Sequence, residues 1–180
     1  MYIAQKLKKT NIVEYLLYMW QVEDLMRAYN LDIELINKNI VEKYQNINSQ
    51  ERKLLYEWYE SIIEMMRNEN VQQSGHIQLN KNTIIELCDF HQSFLKSGKA
   101  PAYNAKFFYI LPVINELRKK SPVDISDIEI CFNFMYGIIV LSMKKNEISP
   151  ETKQTCNEIT KFFILLTENY NLYQNGDLEL

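Results

Sequence analysis

Residues Asn11 to Tyr29 read NIVEYLLYMWQVEDLMRAY, and the periodicity of that stretch decides the fold class. At about 100° per residue, Ile12, Tyr15, Leu16, Met19, Trp20, Val22 and Met26 share a broad apolar arc, and Tyr18, Leu25 and Tyr29 continue it round the back. A helix that is apolar on nearly every side is a buried or an interface helix. Glu23 and Arg27 fall near the middle of the arc, four residues apart, with the carboxylate first. That order suits an i,i+4 ion pair, and we expect the two side chains to be buried and in contact.

The rest of the chain extends the helical pattern. Asp32 can cap a short amphipathic helix, IELINKNIVEKY, and Asn48 with Glu51 offers a capping box for a long helix running to about Gln73. The connection from Ser74 to Leu79 carries Gly75 and His76, and His76 is expected to be exposed. A fourth helix, about Lys81 to Ser97, places His91 on its apolar face, where it should be buried with a hydrogen-bond partner. Pro101 can open a fifth helix that Pro112 should kink or divide. Ser126 with Glu129, and Ser149 with Pro150, start the last two helices.

The sixth helix, about Ser126 to Lys145, is as apolar all round as the first, and Gly137 within it marks a place for close helix contact. No segment alternates with period two. The expected fold is all-α, a single-domain bundle of about seven helices with no sheet, over residues 1–180, with 1–10 and 174–180 as frayed ends. The string LLYxW occurs at Leu16 to Trp20 and again at Leu54 to Trp58. With no third copy, a solenoid of stacked repeats is not expected.

Composition agrees. Four glycines and four prolines in 180 residues leave few turns, and 47% hydrophobic with 24% charged residues belongs to a folded chain. The net charge of −3 provides no broad positive field, so nucleic acid and anionic membranes are not expected partners. The basic clusters Lys6/Lys8/Lys9 and Arg118/Lys119/Lys120 read as solvated helix ends. Cys88, Cys131 and Cys156 are odd in number and embedded in apolar patterns, as buried free thiols of a reducing cytoplasm would be. The N-terminal segment reaches Glu14 before any apolar core of a signal peptide, and the longest uncharged run, Ile130 to Met143, is shorter than the roughly 20 residues a membrane span needs.

Familiar catalytic patterns do not occur. There is no Glu-x-x-His for a di-iron site, no His-x-x-x-His or close cysteine pair for zinc, no Gly-rich phosphate loop and no G-x-S-x-G elbow. Neither a metal nor a cofactor is expected. The remaining candidate is a polar centre of Glu23, Arg27 and His91, in which Arg27 would grip an anion and His91 or Glu23 would move a proton. The competing reading is a structural cluster, with Glu23 neutralising Arg27 and His91 bonded to a backbone group or a tyrosine.

Four segments, IVEYLLYMWQVEDLMRA, EWYESIIEMMRNENVQQSGH, LPVINELRKK and ISDIEICFNFMYGIIVLSMKKNEISPET, together resemble an uncharacterised bacterial helical family, a domain of unknown function of about this length. The resemblance covers nearly the whole chain and implies an all-helical domain in a bacterial cytoplasm, without supplying an activity or a catalytic residue. The function expected is therefore non-enzymatic association with a protein partner, most simply a second copy in a dimer, motivated by the apolar excess on the first and sixth helices. The side of the first helix with Leu25 and Tyr29 is a leftover face unless helices of the same chain cover both sides. The alternative is a small-molecule binder or enzyme with its pocket around Glu23, Arg27 and His91.

Overall fold

The computed structural model describes residues 1–180 and contains eight α-helices and no strand. They are α1 (Tyr2–Thr10), α2 (Ile12–Ala28), α3 (Ile33–Asn39), α4 (Ser49–Asn68), α5 (Gln78–Lys96), α6 (Pro101–Arg118), α7 (Asp127–Met143) and α8 (Pro150–Gln174). The chain divides into two compact units, Met1–Asn82 and Thr83–Leu180. The first residues of α5 therefore belong to one unit and the remainder to the other.

In the first unit α2 is the centre, packed by α1 and α4, with α3 against α4. Asn11 is extended and accepts the Glu14 amide at 3.1 Å, so it caps α2 while ending α1. Residues Tyr2–Thr10, expected as a frayed end, are helical and bury Ala4. Ten side chains of α2 are buried, among them Leu16, Met19, Trp20, Glu23 and Met26. Tyr18, Leu25 and Tyr29 are half-buried, so the face expected to be left over is largely covered.

Two asparagines end the long helices of this unit. At the end of α2, Asn30 and Leu31 have φ of 53° and 57°, and their amides bond to Arg27 O at 2.9 Å and Met26 O at 2.9 Å. At the end of α4, Asn70 has φ of 57°, with Asn70 N bonded to Arg67 O at 3.2 Å and Val71 N to Met66 O at 2.9 Å. Both are Schellman closures with asparagine in the left-handed position more often taken by glycine. This closure stops α4 at Asn68 instead of about Gln73. The second predicted helix also shortens, to α3 and a single 3-10 turn, Val41–Lys43. Arg52 of α4 donates to Val41 O at 2.5 Å and Tyr44 O at 2.9 Å, holding that irregular segment.

The second unit has an aromatic core. Phe90 and Phe94 of α5, Tyr103 and Phe107 of α6, Phe132 of α7, and Phe162, Phe163 and Tyr170 of α8 are all buried. Helix α6 packs on α7 and α8, and α7 on α8. Pro112 lies inside one continuous α6 and does not divide it. Both Pro112 and Phe108, whose carbonyl loses its donor, face solvent, where water can satisfy the freed group.

Candidate functional site

Glu23 is fully buried and is engaged by three donors. Its Oε2 lies 2.5 Å from His76 Nδ1, and its Oε1 accepts the Ile77 amide at 2.9 Å and Asn80 Nδ2 at 2.8 Å. An ionised carboxylate only accepts, so the His76 proton sits on Nδ1 in this arrangement. The His76 ring stacks on Trp20, one turn before Glu23, with centroids 4.0 Å apart and 13° between planes. A buried carboxylate is tolerated only when its desolvation is offset by such donors.

Arg27 does not pair with Glu23. Its Nη1 bonds to Asp24 at 2.7 Å, and its Nη2 donates to Val71 O at 3.0 Å and to Gly75 O. The expected i,i+4 pair is thus replaced by a division of labour over the connection from α4 to α5. Glu23 takes an amide and a histidine from it, while Arg27 takes two of its carbonyls. A connection rich in unmet backbone groups outcompetes a simple neighbour pair because it presents several partners to each charge. His76, expected to be exposed, is accordingly held against α2 with 28% of its side chain accessible.

His91 is 4% exposed, as its place on the apolar face of α5 implied. Its Nδ1 lies 2.7 Å from the Tyr103 hydroxyl, and its ring meets Phe107 and Phe162 nearly edge-on at 4.5 and 5.9 Å. Burial pushes its pKa down to about 4, so the imidazole is neutral near pH 7. Glu23 and Arg27 belong to the first unit and His91 to the second.

His91 also lines a cleft of about 280 Å³ with Cys88, Leu95, Phe107, Ser126 and Ile128. Cys88 Sγ donates to Ser126 Oγ at 3.0 Å, and burial raises its pKa. A protonated thiol beside a weakly basic imidazole is not the thiolate–imidazolium pair of a cysteine nucleophile. No group of three or more His, Cys, Asp or Glu side chains is placed to hold a metal ion. No helix is long and apolar enough to cross a membrane.

The last feature is α7. Its N-terminal half buries Ile128, Ile130, Cys131 and Phe132, yet from Asn133 to Met143 no side chain is buried. Leu141 is 39% and Met143 71% exposed, and a Cβ added at Gly137 would meet nothing within 4 Å. Asn133, Gly137, Leu141 and Lys144 form the open stripe. Met135, on another side, approaches Cys156 of α8 at 3.7 Å.

A family model described as a domain of unknown function (DUF4924) matches residues 1–177. No curated protein and no solved structure matches the chain.

Proposed function

The chain belongs to the DUF4924 family, and we propose that it acts without catalysis, by associating with a second copy of itself through the C-terminal half of α7. The observation that carries this reading is the open, uncharged helix surface from Asn133 to Met143, with Gly137 at its middle. Apolar helix surface left open by its own chain is characteristic of an association site. A surface without charges is best matched by another of the same kind.

The ends of α7 favour a second copy over an unlike protein. Glu129 lies in its first turn, and Lys144 and Lys145 follow its last. Two antiparallel copies centred near Gly137 bring each acidic end toward the other copy's lysines, and Gly137 lets the backbones approach. Such an isologous contact closes as a C₂ dimer. Three free thiols suit a reducing bacterial cytoplasm as the setting, and the net charge of −3 speaks against nucleic acid as a partner.

Light scattering across a wide concentration range tests the proposal. The expected mass rises toward twice the chain's 21.5 kDa. The variant Leu141→Lys should stay at the monomer mass with unchanged helical circular dichroism, because its side chain is exposed. A wild-type mass near 21.5 kDa throughout overturns self-association and leaves an unlike partner as the occupant of α7.

A further inference from the structure

We propose that the cleft formed by α5, the end of α6 and the start of α7 binds a small uncharged molecule that presents a carbonyl-type acceptor to His91 Nε2. The inference is independent of the α7 association surface and starts from the tautomer of one ring.

The Tyr103 hydroxyl is buried, and His91 Nδ1, 2.7 Å away, is its only hydrogen-bond partner. A buried phenol must place its proton somewhere, so Tyr103 donates and Nδ1 accepts. In a neutral imidazole that leaves the proton on Nε2. Nε2 has no protein partner, although the residue is 4% exposed and lines the cleft. A donor that no protein group meets, at the wall of an open cleft, is available to an acceptor from outside the chain in place of water.

The walls fix the class of molecule. Leu95, Phe107 and Ile128 provide apolar surface on which a ring or short alkyl group can lie. Arg118, the one cationic residue of the lining, donates to Ile125 O at 2.7 Å and to the carboxylate of Asp127. Its charge is therefore already neutralised, and a carboxylate or phosphate would find no free cation. The Cys88 hydrogen is turned to Ser126, so the thiol adds bulk more than polarity. A volume of about 280 Å³ corresponds to roughly nine waters of liquid, a little below the roughly 300–1,000 Å³ of sites for drug-sized ligands. A single ring bearing an amide or ketone fits these limits.

The probe is benzamide, with benzoate as its charged counterpart of equal size, titrated into the full-length chain while the His91 ring resonances are followed by NMR. Benzamide should shift them saturably, and benzoate should bind at least about tenfold more weakly. Leu95→Trp should fill the cleft and abolish the benzamide shift. Gln92→Trp, at an exposed position on the same lining, should weaken binding without touching the core, so the test survives if Leu95→Trp fails to fold. The proposal is overturned if benzamide moves no His91 resonance up to its solubility, if benzoate binds as tightly, or if Gln92→Trp leaves the benzamide titration unchanged.

Discussion

Glu23 Oε2 and His76 Nδ1 lie 2.5 Å apart although 53 residues separate them in sequence. This contact, with the Ile77 amide and Asn80 Nδ2 on Oε1, ties the start of α5 and the connection before it to the centre of α2. Arg27, one turn on, completes the tie through Val71 O and Gly75 O. Position in this unit is thus enforced by a buried carboxylate whose partners all come from one short stretch of chain.

Removing that carboxylate strands buried donors. We expect Glu23→Ala to cost about 3 kcal/mol in urea unfolding. Glu64→Ala, on the solvent side of α4, should stay within about 0.5 kcal/mol. Asp24→Ala removes the half-exposed carboxylate beside Arg27 and should cost less than about 1 kcal/mol. Equal small losses for Glu23 and Glu64 would contradict the anchoring role.

His91 should make stability depend on pH in one direction. Its folded pKa of about 4 lies below the unfolded value of 6.5, so between these the unfolded chain binds more protons. Stability from this group is therefore present above pH 6.5 and is lost as pH falls toward 4, by on the order of 3 kcal/mol in all. Subtracting the unfolding profile of His91→Gln from that of the wild type isolates the slope. An NMR midpoint for His91 at or above 6.5 would refute it.

Local signals were readable in the chain because their physics is local. The caps at Asp32, Asn48, Ser126 and Ser149 each accept a backbone amide two or three residues on, as their sequence positions implied. The burial of His91 followed from its helical face. The partner of Glu23 did not follow from spacing, because an i,i+4 rule sees only the same helix and His76 arrives through the path of the α4–α5 connection. Trp20 and Glu23, three apart, gave no signal that a ring would stack on one and bond to the other. The Asn70 closure was also missed, since asparagine marks a left-handed stop less strongly than glycine does.

Pro112 provides a separate check on α6. It removes one helical hydrogen bond on the solvent side of an otherwise unbroken helix. Pro112→Ala should restore the bond to Phe108 O and stabilise the chain by about 1–2 kcal/mol, the helix gain of roughly 3 being partly offset by a freer unfolded state. A lowered melting temperature would mean that the proline ring is required by its surroundings.

Gly137 separates the stability of α7 from its proposed use. A glycine in the middle of a helix costs about 0.5–1 kcal/mol relative to alanine, and here the added methyl meets nothing within 4 Å. Gly137→Ala should therefore raise the melting temperature of dilute, monomeric protein by a few degrees. If two α7 helices approach closely at this position, the same methyl group, and more so the side chain of Gly137→Leu, pushes the backbones apart and weakens association. The two readouts should move in opposite directions, with tighter monomer folding and looser self-association measured on the same preparation by calorimetry and light scattering. A variant that gains thermal stability while its dimerisation is unchanged would remove Gly137 from the contact and shift the interface toward Leu141.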